Sequence, residues 1–139
     1  MAAGYSGTPL AQKLGIKPGH KLAFVSAPAG FDRLLELPTG TSPLSRATSD
    51  MNVVVFFTTS GQELGARFST LAASLAPAGA LWIAWPKKSS GKKTDLDENA
   101  IRAVGLAAGL VDNKVCAIDE VWSGLRFVIR VKDRPRTKR

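Results

Sequence analysis

Three short polar stretches have the residue types to hold an anion. Thr58-Thr59-Ser60-Gly61 offers a row of hydroxyls, Trp85-Pro86-Lys87-Lys88 two ammonium groups, and Asp119-Glu120-Val121-Trp122-Ser123 two carboxylates, an indole and a hydroxyl. Each follows an apolar run, as does the tight turn Ala27-Pro28-Ala29-Gly30. In an open parallel sheet the carboxyl ends of the strands share one edge, and ligands bind there. If the runs are such strands, Lys87 and Lys88 grip an anion. Thr58, Thr59 and Ser60 then hydrogen-bond it, Asp119, Glu120 and Ser123 line the same edge, and Trp122 gives a stacking face. The same groups could instead satisfy one another. Lys87 and Lys88 would pair with Asp119 and Glu120, Thr59 or Ser60 would cap the next helix, and Trp85 and Trp122 would cover the top of the sheet.

Other residues with chemical potential are isolated. Cys116 lies in the apolar run Val115-Cys116-Ala117-Ile118, and the chain has one cysteine and one histidine, which excludes a disulfide or a zinc site within one chain. Cys116 therefore reads as a small core residue, and His20, between Gly19 and Lys21, as part of a solvent-facing turn. Gly91-Lys92-Lys93-Thr94 ends like a phosphate-binding loop, yet Pro86 stands where the first glycine belongs and Lys93 where the Ser/Thr belongs. No Ser-His-Asp or paired-carboxylate spacing is present.

Charge is placed unevenly. The formal net charge is +8. Lys87, Lys88, Lys92, Lys93 and the basic segment 132–139 together account for all of the excess, leaving a neutral body. Those two segments are where an acidic protein partner or nucleic acid would bind, the latter with strongly salt-dependent affinity. No apolar stretch reaches the length of a membrane span and no signal-peptide pattern opens the sequence, so a cytoplasmic protein without membrane contact is expected.

The elements that must position these groups are legible. Val53-Val54-Val55-Phe56-Phe57 and Ala80-Leu81-Trp82-Ile83-Ala84-Trp85 are continuously apolar and predict strands buried on both faces. Leu64, Phe68, Leu71, Ala72 and Leu75 fall at helical spacing over Gln62 to Ala76. Strand, helix, strand in this order makes the two strands parallel. Upstream, Thr8-Pro9 opens a short helix and Lys21 to Ser26 is a strand. A brief helix runs from Phe31 to Leu37, and Thr39 to Asp50 holds at most one short edge strand. Downstream, Asp95-Leu96-Asp97-Glu98 is a capping box with Asp95 as the cap, and Gly109 stops the helix that carries Ile101, Val104 and Ala108 inward. Lys114 to Asp119 is a further parallel strand, and Leu125 to Val131 returns antiparallel beside it. With 139 residues, 1–131 reads as a single α/β domain and 132–139 as a disordered tail.

Parallel strands and helices ending in a strand, a turn and an antiparallel strand resemble the Rossmann-like fold of class I S-adenosylmethionine-dependent methyltransferases. The segment Leu75-Ala76-Pro77-Ala78-Gly79-Ala80-Leu81-Trp82-Ile83 is similar to the turn that feeds their fifth strand. The blocks Tyr5 to Leu10, Leu14 to Gly19, Leu81 to Lys88 and Gly109 to Phe127 resemble a family of short bacterial proteins of unknown function, which implies no activity. The methyltransferase resemblance implies a three-layer, mostly parallel sheet in shortened form, with Ala27, Pro28 and Gly30 at the cofactor position. Against that pattern, the turn after the first strand has one glycine and a proline. Thr41 to Ser49 supplies no carboxylate for ribose hydroxyls, and too few residues precede Asn52 for two further strands. These departures lead to the expectation of a non-enzymatic module binding a small anionic ligand or a partner, with no cofactor. The alternative is a minimal enzyme using S-adenosylmethionine or a nucleotide, completed by a partner subunit. A third reading is nucleic-acid binding through the lysine loop and tail. A cavity above Ala27 to Gly30, against a gap filled by Phe31 or Trp122, separates the first two.

Overall fold

The run Met51–Phe57 forms β2, and its side chains alternate between two apolar layers. Val53, Val55 and Phe57 join one cluster and Val54 and Phe56 the other, none more than 3% exposed, as a strand covered on both faces requires. The structure, a computed structural model, describes residues 8–134. Beside β2 lie β1 (Leu22–Val25) and β3 (Leu75–Pro86), both parallel to it, with Val25 opposite Phe56 and Val53 opposite Ala80. The expected side-by-side, co-directional pair is therefore present. β4 (Leu110–Ala117) and β5 (Trp122–Ile129) complete a five-stranded sheet in the order β1-β2-β3-β5-β4. β5 is antiparallel to β4, as expected, and is inserted between β4 and β3.

Helices α2 (Gly61–Ala73) and α3 (Glu98–Ala107) cover one face. Leu64, Phe68, Leu71 and Ala72 of α2 and Ile101 of α3 are buried there with Leu81, Ile83, Leu125 and Phe127. The other face is covered by α1 (Leu10–Lys13), a 3₁₀ turn at Phe31–Leu34 and Ile118. Trp82, fully buried in the middle of β3, donates its indole N–H to the Leu14 carbonyl at 3.0 Å and so ties the α1 segment to the sheet. The result is the mixed α/β, three-layer arrangement expected from the sequence.

Several local expectations shift. Pro9, not Thr8, precedes the first helical residue, and no side chain caps that helix. Only one turn of 3₁₀ helix follows β1, because the backbone is already extended at Leu35, three residues before Pro38. β3 begins five residues before Ala80. Met51 pairs with Leu75 and Val53 with Ala80, so Ala76 to Gly79 bulge outward against a single β2 residue. Gly79 belongs at that bulge, since a Cβ there would stand 2.4 Å from the Met51 carbonyl oxygen. Within Thr39 to Asp50, Leu44 alone bridges Ala23, through Leu44 N–H to Leu22 and Phe24 N–H to Leu44 at 2.9 and 2.8 Å. The cap of α3 is Asp97, whose carboxylate accepts from the Ala100 amide at 2.8 Å, rather than Asp95. Lys132 and Asp133 belong to a 3₁₀ turn at Val131–Asp133, while residues 135–139 and Tyr5 to Gly7 lie outside the described residues.

Ser60 is the cap of α2, its Oγ accepting from the Glu63 amide at 3.1 Å. Ser60→Ala leaves that amide unpaired and is expected to lower stability by about 1 kcal/mol in a urea titration, whereas Ser60→Asp keeps the acceptor and most of the stability.

Candidate functional site

The carboxyl edge brings together the ends of β1, β2, β3 and β4, but it does not use the predicted residues as expected. The Asp119 carboxylate accepts from the amides of Val121 and Trp122, both at 2.8 Å, and thereby shapes the β4–β5 turn. It makes no ion pair with Lys87 or Lys88. The ion pairs among the described residues join Arg67 to Glu63 and Arg102 to Glu98 and Asp112. Glu120 is exposed. The Lys87 backbone donates to the Val121 carbonyl at 2.7 Å, stitching the exit of β3 to that turn, where Ser123 pairs with Trp85. Thr58 is buried, its hydroxyl donating to the Glu63 carboxylate at 2.6 Å and accepting from the Ser60 amide at 3.2 Å.

Trp122 is not an open stacking face. It is 8% exposed and packs edge-on against Phe57, centroids 5.1 Å apart. Phe57 in turn meets Phe31 at 4.8 Å, and Phe31 meets Phe24 at 5.0 Å. These four rings span the sheet from β1 to β5, so the gap between strand ends on this face is closed by both Phe31 and Trp122. What remains is a hollow of about 170 Å³ beside β1, lined among others by Ala27, Pro28, Phe31, Asp32, Leu44 and Ser45. Gly30 leads into the turn that carries Phe31 and Asp32.

A larger opening lies over the ends of β2 and β3. This open cleft, of about 760 Å³, is lined by Thr59, Ser60, Lys88, Lys92, Lys93 and Asp95 along with Gly91, Thr94 and Leu96. Its outer wall is the connection from β3 to α3, folded back onto the start of α2. The Thr94 hydroxyl donates to the Thr59 carbonyl at 2.7 Å, and the Asp95 carboxylate accepts from the Gly61 amide at 2.8 Å. Lys92, Lys93 and Asp95 were not read as members of this site from the sequence. The contacts that fold this segment back, Thr94 to Thr59 and Asp95 to Gly61, join residues 34 to 35 positions apart, and only the Gly91 turn, with φ +72°, marks the place where the chain doubles back.

The isolated residues stay isolated. Cys116 packs beside the second core cluster, and burial pushes its thiol pKa up, against the smaller opposing effect of Lys13 and Lys114. His20 accepts from the Lys17 amide in the turn before β1, at the opposite edge of the sheet, and burial together with the Lys17 charge lowers its pKa. Among the described residues no group of three metal-ligating side chains occurs, and no helix is long and apolar enough to cross a membrane.

No family model matches the chain, and no curated protein matches it by sequence, so the resemblance to short bacterial proteins of unknown function gains no support. Solved structures do share the fold. One is a SAM-dependent methyltransferase from Aquifex aeolicus, with TM-score 0.58 and 14% identity, covering 85% of this chain and 86% of that one. Another is magnesium protoporphyrin IX methyltransferase from Synechocystis PCC 6803 with bound SAM, with TM-score 0.57 and 12% identity, covering 86% and 74%. A third is a ribosomal protein L11 methylase from Lactobacillus delbrueckii subsp. bulgaricus, with TM-score 0.55 and 10% identity, covering 86% and 74%. The fold is thus methyltransferase-like.

These likenesses correct the expectation of a non-enzymatic module, because the solved structures that share the fold include methyltransferases, SAM-bound and SAH-bound forms among them. That expectation rested on the single-glycine turn Ala27-Pro28-Ala29-Gly30, the lack of a carboxylate in Thr41 to Ser49 and the shortness of the chain before Asn52. The last of these loses its force beside the Aquifex protein, 86% of which is matched. The expectation that no cofactor is bound rested on the same grounds, and it stands beside solved structures of this fold that hold SAM or SAH.

Proposed function

We propose that the chain is an S-adenosylmethionine-dependent methyltransferase working at the carboxyl edge of its sheet. The observation that carries the reading is the shared fold, matched over most of this chain and most of the Aquifex enzyme. The residues beside β1 suit the nucleoside end of the cofactor. Phe31 and Pro28 give an apolar wall, the Asp32 carboxylate an acceptor for ribose hydroxyls, and Ser45 a further polar group. A hollow of about 170 Å³ is the size of a base and smaller than the roughly 300–1,000 Å³ of a whole-ligand pocket, so Ala27 to Gly30 and the open edge must serve the remainder. When bound, S-adenosylmethionine supplies an electrophilic methyl group. The four rings from Phe24 to Trp122 keep water from the floor of the site. Proton removal from an acceptor has no histidine to call on, since His20 stands at the other edge.

Calorimetry with S-adenosylhomocysteine tests the reading. Binding in the ~1 µM–1 mM range is expected, weakened about tenfold or more by Asp32→Asn, which removes the charged acceptor. Absence of heat at millimolar ligand, with no chemical-shift change at Ala27 to Gly30, would end it.

A further inference from the structure

Three ammonium groups stand in the larger cleft without acidic partners. Lys88, Lys92 and Lys93 line it, no ion pair among the described residues includes them, and Asp95 is the one carboxylate in the lining. That carboxylate already accepts from the Gly61 amide. The cleft therefore carries an excess of two positive charges.

The lysine-bearing segment is also pinned. The Ser90 hydroxyl donates to the Lys87 carbonyl at 2.7 Å and accepts from the Lys92 amide at 3.1 Å. Thr94 bonds Thr59, its Oγ1 also accepts from the Leu96 amide at 3.0 Å, and the Leu96 side chain is buried beneath. Flexible surface lysines spread apart to lower their mutual repulsion, whereas a braced turn holds them around one opening.

We infer that this cleft binds the phosphate or carboxylate group of a small anionic molecule. Given the methyltransferase reading above, on which only this role depends, that molecule is the methyl acceptor. An anionic group meets the unpaired ammoniums together with the Ser60 and Thr59 side of the cleft. The acceptor class also answers the lack of a base. A carboxylate acceptor needs no base: its oxygen takes the methyl group as the methyl–sulfur bond of the sulfonium breaks, which leaves S-adenosylhomocysteine and no proton to remove. A small molecule is favoured over nucleic acid because the opening has an acid in its wall and is served by no exposed ring among the described residues, Trp85 and Trp122 both being 8% exposed.

The test uses the full chain at low ionic strength, with amide NMR titrations of inorganic phosphate, of acetate and of a single-stranded oligonucleotide. Phosphate or acetate is expected to shift Thr59, Ser60 and Lys92 to Asp95, and whichever binds tighter identifies the anchoring group. The triple variant Lys88→Ala, Lys92→Ala, Lys93→Ala should lose at least tenfold in that affinity while its S-adenosylhomocysteine affinity stays the same. Unshifted amides at these positions, equal binding by the variant, or displacement of phosphate by tighter oligonucleotide binding would overturn the inference. Phosphate binding without S-adenosylhomocysteine binding would leave the anion cleft standing and remove the methyltransferase reading alone.

Discussion

Trp82→Ala is expected to lower unfolding free energy by about 3–5 kcal/mol, the range for removing a large buried aromatic side chain. The indole is fully buried between Leu14 and β5, and its loss opens a cavity that the surrounding strands, fixed by their ladders, cannot close. It also strips the Leu14 carbonyl of its donor, a bond that spans 68 positions of sequence. Set against a typical total of about 5–15 kcal/mol, this leaves the variant marginally folded. Trp82→Phe separates the two causes. It keeps most of the volume and should cost about 1–3 kcal/mol, chiefly for the unpaired carbonyl. Urea titrations of the two variants check the ordering, and a loss below about 1 kcal/mol for Trp82→Ala would show that the α1 segment contributes little to the second core.

Gly105→Ala is the second large effect, and its sign is the informative part. In an exposed helix interior, alanine is favoured over glycine by about 1 kcal/mol. Gly105 lies on the buried face of α3, where a Cβ would sit 2.0 Å from Cε1 of Phe127. Phe127 cannot give way, being fully buried on β5 and edge-on to Phe68 with centroids 5.2 Å apart. The substitution is therefore expected to destabilise by about 1–3 kcal/mol or more, as overpacking does. Gly65→Ala, on the exposed side of α2 with no atom within 4 Å of the new Cβ, should instead stabilise slightly. A thermal melt of both variants, with Gly105→Ala/Phe127→Leu as the relieving pair, decides it. If Gly105→Ala melts at or above the parent, the packing of α3 on β5 described above is wrong.

The central strands were legible because burial on both faces leaves no choice of residue type. Val53 to Phe57 and Ala80 to Trp85 read as unbroken apolar runs. The early start of β3 was hidden by Pro77 and Gly79, which look like a turn in sequence and occupy a bulge in space. Asp95 looked like the cap of α3 because local spacing allowed it. Its real partner, the Gly61 amide, is distant in sequence, and no periodicity encodes such a contact. The same limit applied to the carboxyl edge. Topology placed the right loops together, but Asp119 turned inward to its own turn and Trp122 to Phe57, choices set by backbone geometry rather than residue type. The functional expectation erred by weighing local departures, the one-glycine turn, the absent carboxylate and the short first half, above the similarity of the whole sheet.

The insertion of β5 between β3 and β4 bears on biogenesis. The strand made last among those described belongs in the interior of the sheet, so during synthesis β3 waits with one edge unsatisfied until Trp122 to Ile129 have left the ribosome. A nascent chain stalled before that point presents the greasy flank of Leu81 to Trp85 to whatever is nearby, and that stretch is where a chaperone would be needed most.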